Sequence, residues 1–306
     1  MAEAARPRPA GLDRPGAAPA VGRPPVRAPR GFWRRLWRHR PATLGLALVG
    51  AFVALALLAP ILAPADPHRL GPASFRAPAA DALLGTDNLG RDVSSRILYG
   101  ARTSLLVGVL AALASSLVGM AVGALAGYYG GLLDDALMRF TELFQVIPRF
   151  LLAIVTVALF GASLGNLVIV IAVLSWPTTA RLVRGQFLAL QAQEFVQAGR
   201  ALGVPDGRLI VRELLPNAAS PIIVDGSFQV ASAILLEAGL SFLGLGDPNL
   251  VSWGQMLQQA QAFLRRAWWL ATFPGGAISL VVLGLNLLGD GLNDLLNPRQ
   301  RMGNEG

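Results

Sequence analysis

The chain has 306 residues, of which 54% are hydrophobic and 14% charged, with a mean hydropathy of +0.53 and a formal net charge of +8. Such a composition cannot cover a water-exposed surface, and its apolar runs reach membrane-span length. There is no cysteine, which excludes disulfides and thiolate metal sites, and all 26 basic residues are arginine, which excludes a Walker-type phosphate loop and Schiff-base chemistry.

In chain order, residues 1–30 are Pro, Ala, Gly and Arg without periodicity and are expected as a disordered cytoplasmic tail. Ten arginines fall in the first forty residues against Glu3 and Asp13, so the positive charge marks a membrane-proximal segment and not a nucleic-acid surface. Residues 31–42 include GFWRRLWRHR and predict an interfacial helix with Phe32, Trp33 and Trp37 at headgroup level and His39 as one more polar residue. The charge-free run 44–63, within a first span of 43–64, crosses the bilayer, and the arginines before it place the N-terminus inside. Residues 65–103 form a polar periplasmic segment. Asp87, Arg91, Asp92, Arg96 and Arg102 lie there, expected in a solvated turn and a short interfacial helix whose exposed ion pairs are each worth little.

Residues 104–294 make up the membrane core, and 295–306 a cytoplasmic tail. The second span, 105–127, carries Gly108, Ala112, Ser115, Ser116, Gly119 and Gly123, small residues that let a neighbouring helix approach closely. The third, about 140–160, contains Glu142 and Arg149 and predicts a kink at Pro148. The fourth, 164–180, is distorted near Pro177 and returns inside at Arg181 and Arg184. The fifth, 218–236, carries Asp225; an outer loop, 237–267, follows and includes Phe242. Trp268 and Trp269 mark an interface before the sixth span, 270–288. The expected fold is an all-α integral membrane protein with six transmembrane helices and both termini cytoplasmic. Glu142, Arg149, Asp225 and Phe242 are candidate pore or gate residues, because an ionisable group in a span is a functional candidate.

One long polar interval, 194–217, separates the fourth and fifth spans. It predicts a hairpin: a helix with small residues at Ala198, Gly199 and Ala201, a break at Gly203, and a second short helix ending at Leu215 and Pro216. Such a hairpin either folds back on its own bundle or serves as a knob for a cytoplasmic partner. No His/Asp/Glu cluster has metal-ligand spacing and there is no Gly-x-Ser-x-Gly elbow, so the chain is not expected to be an enzyme.

The hairpin resembles a motif of the permease subunits of ATP-driven (ABC) importers: Glu-Ala-Ala, three residues, Gly, nine residues, then Ile, one residue and Leu-Pro. Here the frame is Gln197-Ala198-Gly199, Gly203 and Glu213-Leu214-Leu215-Pro216; Gln197, Gly199 and Glu213 depart from the motif. Glu194-Phe195-Val196, Arg200, Gly203, Arg212 and Leu215-Pro216-Asn217 are similar to the second permease of the branch importing dipeptides, oligopeptides, nickel and related solutes. Leu84-Gly85-Thr86-Asp87, Leu89-Gly90-Arg91-Asp92, Tyr99-Gly100-Ala101-Arg102, the run LSFLGLG from Leu240, Trp253-Gly254, Trp268-Trp269, Pro274-Gly275 and the run NLLGDGL from Asn286 resemble further parts of it, in order.

The resemblance implies a type I ABC importer permease fold in the cell inner membrane. It implies three kinds of partner besides the bilayer: a homologous second permease, two cytoplasmic ATPase subunits, and an extracytoplasmic solute-binding protein. No cofactor is expected on this chain, with ATP and Mg held by the ATPases. Glu194, Gln197, Ala198, Gly199, Arg200, Gly203, Arg212, Glu213, Leu215, Pro216 and Asn217 would form the ATPase-coupling element. Peptides are the first expected solute, with nickel, glutathione or another small solute as alternatives. A secondary transporter using Glu142, Arg149 and Asp225 as an ion site is the alternative from another class.

Overall fold

The computed structural model describes residues 32–80 and 82–296. The expected tail 1–30 and the last ten residues, 297–306, lie outside the described residues. Regular structure among the described residues is helical, apart from two isolated bridges, Ala79 with Ala82 and Thr86 with Asp92.

A short helix α1 (Phe32–Arg38) leads into α2 (Arg40–Leu57), which carries the first apolar run. His39 separates them and is more than a passive polar residue: its Nδ1 accepts from the Ala42 N–H at 3.3 Å, capping α2, and its Nε2 meets Asp294 Oδ2 at 3.2 Å. The capping matters because the first N–H groups of a helix have no internal acceptor. The expected span to residue 63 breaks at Leu58, before Pro60, and finishes as a separate turn, α3 (Ala59–Leu62). Proline removes an N–H and clashes with the preceding turn, which accounts for the break.

The second span is far longer than its apolar run. Helix α4 (Val93–Tyr129) begins ten residues before the expected end of the periplasmic segment, because Asp92 caps it by accepting from the Ser95 N–H at 2.6 Å. The third span corrects the expected kink into a full break. Helices α5 (Gly131–Val146) and α6 (Arg149–Phe160) meet at 83° across Ile147 and Pro148. Ile147 is extended, at φ −82° and ψ 130°, as the steric demand of a following proline requires. Helix α7 (Leu164–Gln191) absorbs Pro177 without ending and so runs eleven residues beyond the expected span end at 180.

The hairpin starts with α8 (Glu194–Ala201). It then passes a helical turn, α9 (Asp206–Arg208), and a π-helical turn, Leu209–Leu214, directly into α10 (Leu215–Phe242). The second arm therefore does not stop at Leu215 and Pro216; it is the root of the fifth span. Likewise α10 passes the expected span end at 236 and takes up the first residues of the outer loop. Helix α11 (Trp253–Ala260) folds within that loop, and α12 (Trp269–Leu296) makes the last span, extending two residues into the expected tail 295–306. Among the described residues five helices are long and apolar enough to cross a membrane, counting Asp206–Phe242 as one, and the bent pair α5 and α6 makes six if counted as one broken span.

Packing follows the small residues. A Cβ on Gly119 would lie 2.7 Å from the Trp176 carbonyl oxygen and one on Gly127 would lie 2.7 Å from Phe187 Cβ. Helices α4 and α7 thus run backbone against backbone, an approach that only residues without side chains allow. The first and last spans close in the same way, where a Cβ on Gly45 would lie 2.6 Å from the Gly284 carbonyl oxygen.

Two apolar clusters mark the two ends of the bundle. One gathers Val93, Ala101, Ile234, Trp253, Met256 and Trp269 at the end carrying α11. The other gathers Tyr128, Val183, Phe187, Val196, Leu209 and Leu214 under the hairpin.

Candidate functional site

The hairpin turns at a Schellman motif. The Val204 N–H donates to the Gly199 carbonyl and the Gly203 N–H to the Arg200 carbonyl, both at 3.0 Å, with Gly203 at φ +73°. That left-handed conformation costs an L-residue free energy and glycine none, which explains Gly203 at this place. No atom lies within 4 Å of where its Cβ would be, so the demand on Gly203 is conformational and not steric. Gly199 is the reverse case: a Cβ there would lie 2.8 Å from Leu209 Cδ2, so its small size lets α8 lie on the second arm.

Apolar contacts fix the hairpin to the bundle. Val196 from the first arm and Leu209 and Leu214 from the second are buried against Tyr128, Val183 and Phe187. The π-helical turn places Pro216 where its missing N–H is tolerated. The Leu215 N–H donates to the Ile210 carbonyl, five residues back, and Asn217 Nδ2 donates to the Glu213 carbonyl at 2.6 Å.

Polar contacts add a latch that the sequence did not point to. Tyr128, at the end of α4, is 5% exposed and its hydroxyl donates to Asp206 Oδ1 at 2.6 Å. The Arg200 guanidinium lies 4.8 Å from the Tyr128 ring centroid and donates to Gln191 Oε1 at 3.0 Å. Gln191 Nε2 in turn donates to the Gly127 and Tyr128 carbonyls, which the end of α4 would otherwise leave without partners. Beside this latch, Arg184 of α7 donates twice to Asp134 of α5, at 2.5 and 2.6 Å.

The residues expected to couple to an ATPase therefore divide. Glu194, Gln197, Ala198, Gly203, Arg212, Glu213, Pro216 and Asn217 are exposed. Arg200 is exposed but engages Gln191 and Tyr128, and Gly199 and Leu215 pack inward. The sequence reading also missed Leu202, 83% exposed at the tip of α8, and Val211, exposed on the second arm. An apolar residue at the end of a short, amphipathic helix was the signal that could have found Leu202.

The candidate pore residues do not assemble into one site. Glu142 is exposed on a cleft of about 330 Å³ between α5 and α7, lined also by Asp135, Arg139 and Arg181. Arg149 Nη2 donates to Thr178 Oγ at 2.7 Å, whereas Asp225 Oδ2 accepts from Thr179 Oγ at 2.6 Å. No ion pair joins Glu142, Arg149 and Asp225 among the described residues. Phe242 closes α10, half-exposed, and its carbonyl accepts from Gln261 Nε2 at 3.2 Å.

At the opposite end, the expected solvated turn is a buried network. Asp87 is 4% exposed and Arg96 3%. Asp87 Oδ2 accepts from Arg91 Nε at 2.6 Å and Arg96 Nη1 at 2.5 Å, while Gln259 of α11 accepts from both arginines at 3.1 and 2.9 Å. Burial overturns the expectation of weak surface pairs, because charges removed from water interact strongly and must be matched. Trp269 is likewise buried and donates from Nε1 to the Thr86 carbonyl at 3.2 Å, so only Trp268 of the tryptophan pair is free to meet an interface.

Deeper in this end, Glu237 is 1% exposed, its carboxylate accepting from Ser241 Oγ at 2.7 Å and Ser104 Oγ at 3.1 Å. It holds α10 to α4 directly below α11.

The bundle, the bent pair α5 and α6 and the surface hairpin between the fourth and fifth spans define an all-α integral membrane protein. The family described as "Binding-protein-dependent transport system inner membrane component" matches residues 119–302, and the "N-terminal TM domain of oligopeptide transport permease C" matches residues 30–82. The chain belongs to this family of binding-protein-dependent transport permeases and is a multi-pass inner-membrane protein.

It is 39% identical over 274 residues to the dipeptide transport system permease protein DppC of Alkalihalophilus pseudofirmus, covering 89% of this chain and 90% of that protein. It is 39% identical over 289 residues to the glutathione transport system permease protein GsiD of Pectobacterium atrosepticum, covering 92% and 95%. Among solved structures, an inward-facing conformation of the MetNI methionine ABC transporter aligns with a TM-score of 0.52 at 19% identity. That alignment covers 64% of this chain and 93% of that one and establishes an ABC importer permease fold.

Proposed function

We propose that this chain is a transmembrane permease subunit of an ATP-driven importer that passes di- or oligopeptides across the inner membrane by alternating access. Similarity along nearly its whole length to dipeptide permeases of more than one organism supports peptides as the solute, and glutathione, whose permease matches at the same 39% identity, is not favoured over them. A second, homologous permease completes the pathway, an extracytoplasmic binding protein delivers the solute, and two cytoplasmic ATPases drive the cycle. ATP and Mg bind those ATPases, and this chain carries no catalytic residue and no cofactor.

The observation that carries this reading is the hairpin. Its outward face presents Ala198, Leu202 and Val211 to solvent while Val196, Leu209 and Leu214 are sealed into the bundle. An exposed apolar tip on a buried base is what a groove on an ATPase can grip and move. The positions Glu194, Gln197, Gly203, Arg212 and Glu213 border that tip and would set the fit.

Because the chain has no cysteine, one introduced thiol reports on one site. In the assembled complex, Leu202→Cys is expected to lose maleimide labelling when the ATPases dock and to regain it when they are stripped. Labelling that ignores the ATPases would sink the docking assignment. Uptake by the isolated chain driven by an ion gradient would instead favour a secondary transporter.

A further inference from the structure

We infer that Arg200 and Asp206, two charged residues of the hairpin, act on helix α4 and not on the ATPase, with Tyr128 as the positioning residue that passes hairpin movement into the bundle. The inference rests on the importer reading and goes beyond it by assigning the internal side of the joint.

Arg200 and Asp206 lie on either side of the Gly203 turn, one on each arm. Both converge on Tyr128: Asp206 accepts from its hydroxyl at 2.6 Å, and Arg200 covers its ring at 4.8 Å. Arg200 also holds Gln191 at 3.0 Å, and Gln191 caps the α4 carbonyls of Gly127 and Tyr128. A tilt of the hairpin that moves its two arms unequally must therefore strain the phenol hydrogen bond, the ring contact or the cap.

The other hairpin charges differ in bonding and not in exposure. Glu194, Arg208, Arg212 and Glu213 are exposed, as Arg200 and Asp206 are, but form no ion pair among the described residues, which leaves them available to a partner. The division of labour follows from that bonding: the unbonded charges meet the partner, and the two bonded charges hold α4. Helix α4 then carries the signal, because at 37 residues it is about 55 Å long and reaches from Tyr128 to Arg96 at the far end.

The test uses the complete complex of both permeases, ATPases and binding protein in proteoliposomes, with a dipeptide mixture as the transported probe. Tyr128→Phe keeps the ring and its packing and deletes only the hydroxyl; Asp206→Ala deletes the carboxylate that accepts from it. Each is expected to lower dipeptide moved per ATP hydrolysed by about tenfold, the scale of a lost hydrogen bond to a charged group. The double variant should be no worse than either single one, since both remove the same contact.

Subunit content and melting temperature should match the unsubstituted complex, so that a change in the ratio reports transmission and not folding. An unchanged ratio in both variants overturns the inference. Loss of the ATPases from the purified Tyr128→Phe complex also overturns it, because the residue would then serve docking. A parent complex that binds no ATPase would refute the importer reading itself, a result distinct from either.

Discussion

Substituting Gly203 separates a conformational requirement from a steric one. Its φ of +73° lies in the left-handed region, and a Cβ there would have no neighbour within 4 Å. Alanine therefore pays only the backbone term, about 1–2 kcal/mol, which multiplies the open population of the turn by roughly 5–30. Asparagine, which visits this region more readily, should cost less, and valine, stiff at its branched Cβ, more.

Hydrogen exchange reads this directly, because the N–H groups of residues 203 and 204 donate to the Arg200 and Gly199 carbonyls in the turn. Protection of these two amides should fall in the order Gly, Asn, Ala, Val, and substrate-stimulated ATP hydrolysis in the assembled complex should fall in the same order. If Gly203→Val protected both amides as well as the parent does, the left-handed turn would not be limiting and the reasoning would fail. Gly199→Ala is the complementary case: its Cβ meets only the end of the Leu209 side chain, at 2.8 Å, which can rotate away. It should leave the turn amides protected.

Asp87→Ala leaves Arg91 and Arg96 buried without their carboxylate, and should destabilise the outer end by about 3–5 kcal/mol, read as a lower melting temperature in detergent. Gly119→Leu drives a side chain into the α7 backbone and should cost at least about 1–3 kcal/mol on the same assay, whereas the same change at Gly165, where no atom lies within 4 Å of a Cβ, should cost little. Glu237→Leu strands the Ser104 and Ser241 hydroxyls at about 1–3 kcal/mol each, while Glu237→Gln keeps an acceptor for one hydroxyl, offers an N–H to the oxygen of the other, and should retain more of the stability. A Glu237→Leu variant as stable as the parent would show that this buried carboxylate is not what joins α10 to α4.

The apolar runs located the five helices long enough to cross a membrane and the bent pair α5 and α6, since a charge-free stretch of membrane length has few other fates. What they could not give was where each helix ends, because helices continue past the hydrophobic zone wherever caps and packing support them. Val93 to Ser104 is polar enough to read as a turn and a short interfacial helix apart from the span, yet it is continuous with the span, capped by Asp92 and with Arg96 neutralised by Asp87. The pair itself is local, nine residues apart, but Gln259, which accepts from Arg96, is 163 residues away and lies in no local window. Pro148 was legible as a distortion, but the size of the bend, 83°, depends on what α6 packs against. The Tyr128 latch was hidden for the same reason: Tyr128 and Asp206 are 78 residues apart, and a tyrosine at the end of an apolar run reads first as an interface marker.

The fixed spacing between Gly203 and Leu215-Pro216, by contrast, was legible before its cause was. The structure supplies the cause. Gly203 closes the first arm, Val204 and Pro205 carry the chain across, and everything from Asp206 onward is one helix. Leu209 and Leu214 must both face Tyr128 and Phe187, five residues apart, and an α-helix turns through 500° in that interval, 140° beyond one full turn. A π-helical turn over Leu209–Leu214 is wider, with more residues per turn, and brings the two leucines back towards one face. Pro216 follows in the first turn of α10, where its missing N–H is tolerated next to the π-helical turn. One residue more or fewer would rotate Leu214 by about 100° out of the core and carry Pro216 into the ladder. The motif is therefore a register: it fixes the angle at which a surface hairpin is welded to the fifth span, with Gly199 letting the first arm lie close on Leu209 of the second.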